Sequence, residues 1–92
     1  MPVSAQNDYH DLICSYSWDC AKAIMVARCE STMNPNAYAA GNYGLMQINR
    51  IHAPRFADGD PTLFYDPAFN IEVAHQLYME RGWQPWGFCG RQ

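Results

Sequence analysis

Apolar positions recur at helical spacing in three stretches of the chain, and the polar residues around them mark where each stretch starts and stops. Residues 7–15 predict a short helix, with Asn7 as its cap and Leu12 and Ile13 turned inward. Ser17 predicts the cap of a second helix, Trp18 to Glu30, with Asp19 in its first turn. The middle of that helix, Ala23-Ile24-Met25-Val26-Ala27, is apolar on nearly every side, which predicts the buried centre of the domain. The last helix has the clearest punctuation: Asp66 as cap, Pro67 at the first helical position and Gly82 at the stop. Ile71, Ala74, Leu77 and Tyr78 form its inward stripe, and Glu72, Gln76 and Glu80 face water.

The intervening segments read differently. Thr32 to Tyr43 predicts a loop, punctuated by Asn34-Pro35-Asn36 and Gly41-Asn42. Gly44 to Asn49 is a short ordered stretch, either strand-like or one tight turn. Pro54, Gly59 and Pro61 predict an irregular path over residues 50–65. The tail, Trp83 to Cys89, is aromatic and is expected to fold back over the core. There are no repeats, so the expectation is a mainly α fold (α+β at most) in one small domain spanning 1–92, with its core in 7–89.

Composition narrows the function classes. Apolar residues make up 49% and aromatics 14% of the 92 residues, which suits a packed domain. No apolar run approaches the roughly 20 residues of a membrane-spanning helix. A net charge of −3 without any basic run argues against nucleic acid as a partner. The first five residues lack the basic and apolar regions of a secretory signal. An export signal is thus absent from this chain, which is expected to be a monomer or part of a longer chain.

Four cysteines without a close CxxC pair predict a disulfide framework and an oxidising, extracellular or cell-wall compartment. Three connectivities are possible. The favoured one pairs Cys14 with Cys20, locking a helix entry, and Cys29 with Cys89, closing a loop of about 60 residues worth about 4 kcal/mol. The competing reading is a zinc site, because His10 and Cys14 share a helical face. Zinc usually wants two close ligand pairs, and the second is missing, so no metal is expected.

Glu30 is the residue with a chemical implication. It ends the most apolar helix, where partial burial and the negative helix end both favour the protonated form. A carboxyl that keeps its proton near neutral pH can serve as a general acid. The bland alternative is an ion pair with Arg28, Arg50 or Arg55.

The neighbours of Glu30 weigh in the same direction. Cys29-Glu30-Ser31, followed after a loop by Asn42-Tyr43-Gly44-Leu45-Met46-Gln47-Ile48-Asn49, resembles the lysozyme-like superfamily, nearest to the soluble lytic transglycosylase type of domain. Asn70-Ile71-x-x-Ala74 is similar to that family as well, and the resemblance runs from about residue 18 to 89. It implies a lysozyme-like fold, peptidoglycan as substrate, cleavage of the β-1,4 bond between N-acetylmuramic acid and N-acetylglucosamine, and no cofactor. It further implies Glu30 as the catalytic acid, Ser31 orienting the carboxyl or touching substrate, and Asn42, Tyr43, Gln47 and Asn49 in the glycan groove. Gly44 fits a place where the backbone approaches a neighbour or the sugar closely.

Two departures matter. Animal-type lysozymes carry an aspartate before the Tyr-Gly pair, the second carboxylate of the two-carboxylate scheme, whereas here Asn42 stands there. One carboxylate must then act first as acid and afterwards as base, on the sugar's own 6-hydroxyl or on water. The Ala-Tyr-Asn motif near the C-terminus of many lytic transglycosylases is also missing, which leaves Tyr78 or Trp86 to supply its contact. Tyr38, Tyr65, Trp83 and Trp86 are candidate sugar platforms, with core packing the expected role of Trp83. His75 is expected to be solvated beside Glu72, and His52 to contact substrate. Neither has the Ser or Cys partner of a hydrolytic triad in this reading. The alternative function is a peptidoglycan-binding module of the same fold without turnover.

Overall fold

The computed structural model describes residues 5–92, and side chains from residue 9 onward; the sequence start that bears on export lies outside them. Helix α1 (Ala5–Ile13) leads through a Cys14–Cys20 disulfide into α2 (Cys20–Ser31). A three-stranded antiparallel sheet follows, β1 (Tyr38–Ala39), β2 (Asn42–Tyr43) and β3 (Ile48–Asn49), in the order β1-β2-β3. Then come a 3-10 turn (Arg50–His52), α3 (Ala53–Phe56), a second 3-10 turn (Pro61–Tyr65), α4 (Pro67–Arg81), a third turn (Gln84–Trp86) and α5 (Gly87–Gly90). The fold is mainly α with a small sheet, as expected.

The differences from the sequence reading have local causes. α1 begins before Asn7, so Asn7 lies inside the helix and not at its cap. α2 starts two residues later than predicted, because Asp19 and not Ser17 caps it, accepting from the Lys22 N–H at 3.0 Å. Trp18 stays in the connecting loop, its Nε1 donating to the Ile13 carbonyl at 2.7 Å. α2 is not enclosed all round: Ala23, Val26 and Ala27 are buried, but Ala21, Arg28 and Cys29 are exposed. The stretch 32–43 holds a β-hairpin as well as a loop, and 50–65 winds into short helical turns between its Gly and Pro breaks. α4 keeps its predicted bounds. Asp66 Oδ1 accepts from Ala68 N and Phe69 N, and Ile71, Ala74 and Leu77 are buried.

One core joins these elements, built from Ile13, Val26, Leu45, Met46, Ile48, Phe64, Ile71 and Leu77 among others. The second disulfide, Cys29–Cys89, has a Cα separation of 5.8 Å and ties the end of α2 to α5. Both bridges match the favoured pairing. Among the described residues no helix is long and apolar enough to cross a membrane.

Candidate active site

Glu30 is the penultimate residue of α2, half-buried. The helix stops abruptly beyond it. Thr32 and Met33 take left-handed conformations (φ 53° and 64°), and the Thr32 N–H closes on the Arg28 carbonyl. Such backbone costs on the order of 1 kcal/mol per non-glycine residue, and the burial of the Met33 side chain in the core offsets it. Among the described residues no cation pairs with Glu30. Arg55 is taken by Glu80, and Arg28 reaches the His10 ring. Burial alone pushes the Glu30 carboxyl above its ordinary range. The buried Ser31 hydroxyl donates to the Ala27 carbonyl at 3.1 Å, within its own helix.

The chain after Glu30 is clamped stepwise to the sheet. Asn34 N–H donates to Ser31 O, Ala37 N–H to Asn34 O, and Gly44 N–H to Ala37 O. Gln47 completes the clamp: its Nε2 donates to both Ala37 O (3.1 Å) and Gly44 O (3.0 Å). Those bonds hold Gln47 at φ 50°, a conformation costly for a residue with a Cβ and therefore a mark of constraint. Its Oε1 has no partner among the described residues and is left as an acceptor.

Behind this turn stands Asn70, fully buried on α4. Its Oδ1 accepts from Met46 N, and its Nδ2 donates to Tyr43 O and Phe64 O, all at 2.8 Å. A Cβ on Gly44 would lie 2.5 Å from both Asn70 Nδ2 and Phe64 O. The close approach expected at Gly44 is thus to a protein neighbour.

In front of the turn lies a groove lined by Asn42, Gln47, Ile48, Asn49, His52, Leu77, Pro85 and Trp86. Asn42 and Asn49 face each other across β2 and β3, and Asn49 Nδ2 donates to Asn42 Oδ1 at 3.0 Å. Trp86 is 5% exposed and donates from Nε1 to Met46 O at 2.8 Å, so its ring forms part of the floor.

A scan against family models matches residues 12–83 to the transglycosylase SLT domain. The chain belongs to that family. No curated protein and no solved structure matches it. The family acts on peptidoglycan, and the likeness read from the Glu-Ser and Gly-Leu-Met-Gln-Ile segments falls inside the matched residues of this SLT domain.

Of the residues singled out in the sequence, the SLT domain gathers Asn42, Gln47, Asn49, His52 and Trp86 into one groove. Tyr43 lies beside it in a row of tyrosines, its ring 5.0 Å from Tyr38 and 5.3 Å from Tyr65, edge to face. Tyr78 is elsewhere, packed against Trp18, His75 and Trp83. Glu30 lines neither this small groove nor the larger, more open depression bounded by Trp83, Gln84, Gly87, Gly90 and Arg91.

Trp83 packs against the core as expected, and Trp86 is itself a core residue while flooring the groove. Trp83 is half-buried, stacked on Trp18 at 5.5 Å. His75 is not solvated beside Glu72; it is half-buried against Tyr16 and Trp18. It also meets a serine, Ser17 Oγ at 3.1 Å, contrary to expectation. Among the described residues no carboxylate bonds its ring, so a triad is not assembled. Sequence reasoning missed Asn70 as the strut of the turn and the strain at Gln47. A buried asparagine on an apolar helix stripe was the available signal for the first; left-handed backbone at a glutamine has none.

Proposed function

We propose that this domain cleaves the β-1,4 bond between N-acetylmuramic acid and N-acetylglucosamine in peptidoglycan, with Glu30 as its single acid and base. The observation that carries this reading is a half-buried carboxyl at a helix end, raised in pKa and free of any cationic partner among the described residues. A structural glutamate would be paired or solvated; a proton donor to a leaving sugar oxygen needs neither. Glu30 gives its proton to that oxygen, and the substrate's own acetamido group shields the cation that forms, because Asn42 cannot act as an anionic nucleophile.

Glu30 then takes a proton from the sugar's 6-hydroxyl or from water. The neutral Asn42, already holding Asn49, favours the first outcome, an anhydro sugar. Asn42, Tyr43, Gln47, Asn49 and Trp86 line or flank the strand in this reading, with the free Gln47 Oε1 as acceptor. Ser31 serves as a helix-end support, and Tyr78 contributes through packing. The family and the two disulfides fit work outside the reducing cytosol.

Mass spectrometry of digested peptidoglycan tests the reaction. Products lighter by one water identify transglycosylation, a new reducing end identifies hydrolysis, and an undigested wall that still retains the protein sinks the enzyme reading in favour of a binding module.

A further inference from the structure

We propose that the depression bounded by Trp83, Gln84, Gly87, Gly90 and Arg91 is a second carbohydrate site, which seats one N-acetylhexosamine ring apart from the groove. That the ring comes from peptidoglycan rests on the reading above; that the site takes an N-acetylated sugar does not.

The depression has a volume of about 290 Å³, against about 40 Å³ for the groove, and the two share no lining residue. Small-molecule sites run from about 300 to 1,000 Å³, so this one is sized for a single ring. Four of its five lining residues follow the segment 12–83 that matches the family, so the site is built by the tail of this chain.

Its walls are held in place. Trp83 stacks on Trp18, with 5.5 Å between ring centres and 19° between planes, and is braced by Tyr78 at 4.8 Å and Trp86 at 5.6 Å. Gly90 is buried, and a Cβ there would strike the Trp83 carbonyl, so glycine lets α5 lie directly against the tryptophan. Cys29–Cys89 pins α5 from behind, and Lys22 Nζ donates to Gln92 O at 2.8 Å. At Gly87 a Cβ would meet nothing within 4 Å, which leaves the rim open. A site already ordered loses little entropy on binding.

The chemistry of the walls selects the ligand. The Trp83 indole is a flat apolar surface, suited to the C–H face of a pyranose. Gln84 and Arg91 are exposed, and their side chains make no hydrogen bond or ion pair among the described residues. The Gln84 carboxamide carries donors and an acceptor, the complement of an acetamido carbonyl and N–H. The Arg91 guanidinium adds donors for hydroxyl or acetamido oxygens. A purely apolar ligand would leave both polar groups unused, and a bare anion would leave the indole unused. On the peptidoglycan reading the site anchors the domain while the groove works elsewhere on the polymer, raising the local concentration of strand.

NMR titration of the whole chain carrying Glu30→Gln, so that no strand is cut, tests the site. The probes are tri-N-acetylchitotriose, cellotriose and soluble peptidoglycan strands stripped of peptide. The Trp83 indole N–H and the Gly87 and Gly90 amides are expected to move with chitotriose and not with cellotriose. Gln84→Ala with Arg91→Gln should weaken the Kd read at these signals about tenfold, the scale of one or two lost hydrogen bonds. Both side chains are exposed, and the dispersion of the spectrum checks the fold. Signals at 83, 87 and 90 that stay still, an equal response to cellotriose, or a Kd unmoved by the double variant overturns the proposal. The same response to stripped strands supports it and identifies the wall as the source of the ring. A response to chitotriose alone supports the site and counts against the peptidoglycan reading.

Discussion

Asn70 and Gly44 fit one another across the core: the Asn70 amide donates at 2.8 Å to the carbonyl just before Gly44, and any side chain on Gly44 would strike that amide. The 43–46 turn, some 24 to 27 residues away, is joined at this one side chain to α4 and to the 61–65 turn that leads into it. The groove turn is therefore held from behind by a buried, fully satisfied polar group.

Asn70→Ala orphans one buried N–H and two carbonyls, and is expected to cost about 2–4 kcal/mol in chemical denaturation. Gly44→Ala should cost a similar amount through clash and positive φ (79°). Because Phe64 O remains in the way, Asn70→Ala only partly relieves Gly44→Ala, and the double variant should show a coupling of about 0.5–3 kcal/mol. Strict additivity would mean that the two positions do not press on each other.

Glu30→Gln should lower kcat on peptidoglycan by about 10²–10⁴-fold, the range for loss of a positioned acid. In the wild type kcat/KM should fall as pH rises through the raised pKa of Glu30, because the acid is then ionised before substrate arrives. The descending limb should sit above 4.5, the ordinary glutamate value. A variant that clears walls as fast as wild type would remove Glu30 from the reaction.

The same carboxyl predicts a stability difference of definite sign. Its pKa is raised in the folded state, so its favourable contribution is fully present below the unfolded value and lost as pH rises through the folded one. Wild type and Glu30→Gln should thus melt alike in acid, and the variant should melt higher near neutral pH. A lower melting temperature for the variant at neutral pH would reveal a favourable partner for the ionised group.

The bridges should differ in worth. Cys29–Cys89 spans 60 residues and Cys14–Cys20 spans 6. Replacing the first pair by alanine is expected to cost about 4 kcal/mol and the second about 2, by loop entropy. Denaturant midpoints of the two double variants check the order, and a reversal would show that local support of the α1–α2 corner outweighs loop length.

α4 was legible in the sequence because Asp66, Pro67 and Gly82 are local signals that tertiary contacts had no reason to override. The disulfide pairing and the mainly helical fold were legible too. The start of α2 was not, since Ser17 and Asp19 are both good caps and the choice lay with Trp18, drawn out of the helix by the Ile13 carbonyl. The two tail tryptophans are alike in sequence, and only the Met46 carbonyl decides which one is inside. His75 gained Ser17 and an aromatic cage from a loop fifty-eight residues away, a meeting that helix periodicity cannot register.

Cys29 precedes Glu30, and Cys89 follows closely on the Trp86 that floors the groove. One sulfur–sulfur bond therefore rivets the helix end that bears the acid to the segment that bears the floor. While the thiols stay reduced that rivet is missing, so on the proposed function the acid and the floor are tied together only where the two cysteines can be oxidised.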